Sequence, residues 1–196
     1  MSKRILIIDG HPDNRPERFI HALAQAYAEG ARAAGHEVRL VAVGDLSFPL
    51  LRYAEEFQSD AVVPDVIRPC QESILWAEHL VILFPLWHGT LPALLKGFLE
   101  QVLRPGFAFG AALPRHLPTK LLTGRSARLI VTMGMPAPVF RWYFHAHGVK
   151  SLQRSILEFC GVRPVRTAVA GMIEAISPEG RAAFARHVRR LGSMGK

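Results

Sequence analysis

Five short apolar runs, each followed by an amphipathic helical pattern, govern what this sequence can fold into. Ile5–Ile8 ends at Asp9-Gly10; Phe19, Leu23, Tyr27 and Ala31 then recur at four-residue spacing, a helix closed near Gly35. Glu37–Val43 alternates polar and apolar residues, and a loop with Pro49 and Pro64 leads to a helix near Asp65–Ala77. Leu80–Phe84 is apolar throughout, and Leu91, Leu94, Leu95, Phe98 and Val102 stripe the helix after it. Arg128–Met133 reads as a fourth strand, Ser151–Gly161 as a helix stopped by its glycine, Val165–Ala170 as a fifth strand and Pro178–Leu191 as a last helix. Strand then helix, five times, is the pattern of a parallel sheet covered on both faces.

The strands differ in a way that predicts their order. The first, third and fourth are apolar throughout, as strands buried on both faces must be. The second and fifth carry charge and alternate, as edge strands can. Order 2-1-3-4-5 satisfies both conditions and gives a flavodoxin-like three-layer α/β sandwich. Residues 1–196 read as a single domain, a length that supports a sizeable core. The one long irregular stretch, Arg104–Gly124, exceeds a simple connection and predicts a functional or interface loop.

The longest apolar runs are too short to span a bilayer, so no integral membrane segment is expected. The N-terminal apolar run has no small-residue cleavage site after it, and Cys70 and Cys160 form no CxxC motif. Two reduced, buried thiols and a cytoplasmic location are the expectation. The net charge of +8 raises the question of nucleic acid. The arginines are scattered, however, and the dense Arg186–Arg190 segment keeps a helical apolar stripe at Phe184, Val188 and Leu191. With no nucleic-acid motif beside them, the charge is read as an attraction for anionic small molecules and not for nucleic acid.

In such sheets ligands bind beyond the carboxyl ends of the strands, where the strand order reverses. That places three loops under scrutiny: residues 9–19, 84–92 and 132–148, all rich in Gly, Pro, His and aromatics. In the first, Gly10 permits a sharp turn into a helix N-terminus, an anion site to which His11 and Arg18 add charge. A plain polar turn remains the alternative. No GxGxxG or P-loop motif is present. In the second, Thr90 or Leu91 is expected to cap the helix, with Pro92 in its first turn and Gly97 packed closely on the sheet. Trp87 is either a core residue or the rim of a planar ligand. In the third, Tyr143, His145 and His147 are packing residues or catalysts. His145 and His147 lack a supporting carboxylate or cysteine cluster, so no metal is expected.

The segment FPLWHGTLPALLKGFLEQVLRPGFAF closely resembles the NAD(P)H dehydrogenase (quinone) family of flavoproteins. GHP after the first strand, RLIVTMG at the fourth and LEFCG before the fifth match the same family in the same order. The resemblance covers nearly the whole chain. It implies bound FMN or FAD, hydride transfer from NADH or NADPH to a quinone-like acceptor in a ping-pong cycle, and a homodimer with flavin at the subunit interface.

Carried over by position, it implies His11, Arg18, Phe19 and Ile20 near the flavin phosphate. Pro85, Leu86, Trp87, His88 and Gly89 would run along the ring, and Thr132, Met133, Gly134 and Met135 would meet its pyrimidine end. His88, Tyr143 or His145 would protonate the acceptor. Two departures stand out: Arg18 and Ile20 replace a small hydroxyl residue and an Asn or Cys, and His88 replaces a second tryptophan. A different role, as the flavoprotein regulatory subunit of a cation-efflux transporter, is the alternative that the resemblance leaves.

Overall fold

The computed structural model describes residues 2–58, 61–110 and 118–196. Five parallel strands, β1 (Arg4–Asp9), β2 (Glu37–Ala42), β3 (His79–Pro85), β4 (Ser126–Thr132) and β5 (Val165–Ala170), form one sheet in the order β2-β1-β3-β4-β5. The expected order holds, and for the expected reason: β1, β3 and β4 are buried almost throughout, whereas β2 and β5 are partly exposed.

The two-residue alternation of the strands feeds two cores. On one face Ile5, Ile7, Val81, Leu83 and Ile130 lie under α1 (Phe19–Ala33) and α7 (Pro178–Ser193). On the other, Leu6, Ile8, Ile82, Phe84, Leu129 and Val131 meet α2 (Arg68–Trp76), α3 (Ala93–Val102) and the helical run from His147 to Cys160. Each fully buried aliphatic side chain contributes about 1.5–3 kcal/mol.

The first layer depends on two glycines. A Cβ on Gly30 would stand 1.9 Å from the Arg189 carbonyl oxygen, and one on Gly192 would stand 2.2 Å from that of Tyr27. Helices α1 and α7 therefore touch backbone to backbone, which only glycine allows at these positions. Ser177 caps α7 by accepting a hydrogen bond from the Gly180 N–H at 3.1 Å, and Pro178 follows in the first turn.

Several local expectations need correction. Pro92 is the N-cap of α3 and not a first-turn residue. Gly97 does not serve contact with the sheet: a Cβ there would meet Leu50 Cδ2 at 2.4 Å, so it admits the loop after β2. A short helix, α4 (Ala137–Trp142), interrupts the third loop. Its prolines concealed it, yet Pro136 is the N-cap and Pro138 falls in the first turn, where a missing N–H costs nothing. The helix read as Ser151–Gly161 begins earlier, as α5 (His147–Lys150), passes through a π-helical stretch at Ser151–Leu157 and ends as α6 (Glu158–Cys160). Gly161, at φ 105°, closes it as expected. Part of the long loop Arg104–Gly124, residues 111–117, lies outside the described residues. Within the rest, the buried Arg104 guanidinium bonds Gln101 and the carbonyls of Ala61 and Val62, a structural role. Cys70 and Cys160 are buried free thiols, and burial pushes Cys160 up to about 11.

Candidate functional site

The strand order reverses between β1 and β3, and the loops leaving these strands meet there. Gly10 N–H donates to the Leu83 carbonyl at 2.8 Å, pinning the first loop against β3. A side chain on Gly10 would drive into Leu95, so this glycine serves close approach and its φ is not left-handed. One residue on, the His11 ring meets Trp87 edge-on, with 6.1 Å between centroids.

His11 is a hydrogen-bond donor and not the added charge that the sequence suggested. Its Nδ1 accepts the Asp13 N–H at 2.9 Å, which leaves the proton on Nε2. Burial, and then the neighbouring His21 charge, hold its pKa below the ordinary histidine value. Arg18 is likewise engaged: its guanidinium lies 2.5 Å from the Asp13 carboxylate, which also binds Arg15. The N-terminus of α1 begins at Phe19 and Ile20 with no side-chain cap and no acidic residue in its first turn.

Two functional candidates escaped the sequence reading. Asp9, 4% exposed at the end of β1, accepts from His21 Nδ1 at 2.5 Å, while His21 Nε2 donates to the Asp13 carbonyl at 2.9 Å. Both ring nitrogens face acceptors, so the ring is a doubly donating imidazolium. Burial works against that charge, but the Asp9 hydrogen bond, the Asp13 carbonyl and the two carboxylate charges outweigh it and raise the pKa. A carboxylate ending a strand and a histidine in the next helix's first turn were the available signal.

At the end of β3, Leu86 N–H donates to Thr132 O at 2.7 Å, which ties the second loop to β4. Trp87 and Thr90 exchange two backbone hydrogen bonds around His88 (φ 47°) and Gly89 (φ 80°), the geometry of a type I′ turn. Trp87 is therefore no core residue; it is 47% exposed, and His88 stands at the exposed turn. The third loop closes on this turn through Gly148, whose Cβ would fall 2.2 Å from the Gly89 carbonyl oxygen.

Of the residues after β4, Met133 is buried and its N–H donates to Ala170 O, so it turns inward. Gly134 and Met135 N–H have no partner among the described residues, and Gly134 is exposed. Tyr143 is 77% exposed and stacks edge-on against Phe144, while His145 (φ 50°) pairs edge-on with His147. Pro85, Leu86, Trp87, His88, Gly89 and His11 thus assemble at one place. Tyr143 and His145 lie on the third loop, both exposed, and pair with Phe144 and His147.

The sequence matches the flavodoxin-like fold family over residues 3–193. The chain belongs to that family. Among individual relatives of this family, an uncharacterized NAD(P)H oxidoreductase of Haemophilus influenzae is 28% identical, covering 91% of this chain and 89% of its own. Human ribosyldihydronicotinamide dehydrogenase [quinone] is 32% identical over 65% of this chain, which spans 55% of that protein's length. In fold, an NAD(P)H:quinone oxidoreductase from Methanothermobacter marburgensis superposes with a TM-score of 0.81 at 22% identity, covering 98% of this chain and 96% of its own.

A cavity of about 560 Å³ lies apart from these loops, between α3 and α6, lined by Leu51, Phe57, Leu99, Phe109, Ile156 and Phe159 among others. Phe109 and Phe159 stack edge-on in its wall, 5.0 Å between centroids. Among the described residues, no helix is long and apolar enough to cross a membrane.

Proposed function

We propose that the chain is a flavin-dependent NAD(P)H:acceptor oxidoreductase that transfers two electrons, as hydride, from NADH or NADPH to a quinone-like acceptor in a ping-pong cycle. The observation that carries this reading is the meeting of His11 with Trp87 beside the uncapped start of α1, at the reversal of strand order. The donor set fits FMN or FAD: N–H groups at Phe19–Ile20 for a phosphate, an exposed aromatic edge, and N–H groups at Gly134 and Met135, without a partner among the described residues, for ring heteroatoms. The activities of the relatives support it as well. A bound flavin would supply the hydride chemistry.

The chain's own residues would orient and stabilise. Phe19 and Ile20 N–H groups would hold the phosphate, with His11 Nε2–H as a neutral donor beside it. Pro85, Leu86, Trp87 and Gly89 would line the ring. Gly134 and Met135 N–H groups would offer it hydrogen-bond donors that favour negative charge. His88, exposed at the turn, is placed to deliver a proton to the acceptor, with Tyr143 and His145 as outer candidates. The apolar cavity beside Phe109 and Phe159 suits a second copy of the chain, which would make the working form a homodimer.

Steady-state NAD(P)H oxidation with a soluble quinone tests the reading. Parallel double-reciprocal lines across quinone concentrations are expected; intersecting lines would exclude the ping-pong cycle, and absence of turnover would exclude the enzyme.

A further inference from the structure

The amino-terminal rim of the sheet, opposite the proposed flavin end, gathers a second set of polar groups. The alternation that turns Ile5, Val81, Ile130 and Ala168 towards α1 and α7 also turns His79, Arg128 and Arg166 to that face, at the strand starts. Arg128 and Arg166 are direct neighbours in the ladder between β4 and β5. Lys3, just before β1, and His36, just before β2, complete the group, and the charges of Lys3, Arg128 and Arg166 act on His79.

Three buried side-chain nitrogens have no hydrogen-bond partner among the described residues: His36 Nε2, His79 Nε2 and Arg128 Nε. All three belong to this group. His79 is 2% exposed and Arg128 is 8% exposed. Their protons are assignable. His36 Nδ1 accepts the Lys3 N–H at 3.1 Å, so its Nε2 carries the hydrogen. His79 Nδ1 lies 2.8 Å from Ser126 Oγ; a ring that accepts the hydroxyl proton there donates at Nε2. Arg128 Nε is always a donor. An unmade hydrogen bond at a buried donor is costly, and these three sit among cations that make no salt bridge among the described residues. Among the described residues Lys3 Nζ donates to the Gly195 carbonyl, at 2.9 Å, and Tyr27 OH donates to that of Lys196 at 3.2 Å. Water would answer the donors and leave the charge.

We propose that this rim binds a small tetrahedral oxyanion of the phosphate or sulfate class, held by Arg128, His36 and His79 beneath the chain segment that follows α7. Gly195 marks that cover: a Cβ on it would stand 3.2 Å from both His36 Nε2 and Lys3 Cδ. The site is independent of the flavin reading and stands or falls separately.

Thermal unfolding of the full chain in phosphate and in chloride, at matched ionic strength, tests it. The expected result is a Tm higher in phosphate by about 5–10 °C once phosphate exceeds its dissociation constant about a hundredfold. Sulfate should act likewise. Arg128→Met should abolish the rise without lowering Tm in chloride, because an uncompensated buried cation is gone. His79→Leu gives the same reading if Arg128→Met does not fold. Arg18→Gln, at the opposite rim, should keep the rise. Equal Tm in the two salts, or a rise that survives Arg128→Met, would overturn the site.

Discussion

His21 and His79 are the same side chain at opposite ends of one sheet, and their surroundings drive them in opposite directions. At the carboxyl rim His21 finds an acceptor at each ring nitrogen, and its pKa is raised. At the amino rim His79 is buried among cations; burial first, then Lys3, Arg128 and Arg166, push it down to about 3. The contrast separates two kinds of polar site. The carboxyl rim has already paired its charges internally, Asp9 with His21 and Asp13 with Arg15 and Arg18, and offers a ligand neutral donors and aromatic edges. On the α1/α7 face of the amino rim, Lys3, Arg128 and Arg166 make no salt bridge among the described residues, and three buried donors there have no partner.

The largest test strikes the layer that covers the amino rim. Gly30→Ala forces α1 away from α7 and should cost about 3 kcal/mol in denaturant unfolding, since neither backbone can yield cheaply. A cost under about 0.5 kcal/mol would mean that the two helices do not touch as described. Next, Asp9→Asn removes the carboxylate charge that helps to keep His21 protonated. It should cost about 1–3 kcal/mol and lower the His21 titration midpoint in NMR; an unchanged midpoint would break the assignment of the pair.

Acid sharpens the comparison further. The unfolded chain protonates His79 near 6.5 and the folded chain only near 3. Between these values the unfolded state binds the extra proton, so His79 contributes a loss of stability as pH falls through that window. His21 has the opposite sign: its contribution is present at low pH and fades as pH rises through its raised pKa. In His79→Leu the acid loss should shrink, and a pH profile of Tm matching the parent's would contradict the burial argument.

How much of this was legible beforehand depends on the range of the interactions. Strand order followed from which runs were wholly apolar, because burial on both faces demands it. The meeting of His11, Trp87 and Gly89 followed from the topology that this order fixed. The left-handed His88, by contrast, belongs to a type I′ turn whose Asn-Gly-like His-Gly pair is unusual in composition. The Asp9–His21 pair crosses a loop that no periodicity describes. Helix α4 was hidden because Pro136 and Pro138 break a helix anywhere but at its start. The orphaned donors of the amino rim are a three-dimensional fact: Lys3, His36, His79 and Arg128 lie on four different segments, and nothing in their spacing joins them.

Two smaller effects concern the carboxyl rim. His88→Asn keeps a side chain that tolerates a left-handed φ and should slow the acceptor half-reaction about tenfold or more while flattening its pH dependence. Full rate with an unchanged profile would remove His88 from the proton path. Arg18→Gln should be the mildest, changing flavin affinity by less than about fivefold, because its guanidinium is already paired with Asp13.

A flavin at the meeting of the three loops would show in the absorption spectrum of the protein purified without added cofactor. A yellow protein with flavin bands is expected, with FMN or FAD identified by mass on release by denaturation. A colourless protein that also fails to take up either flavin when it is supplied would contradict the flavin reading.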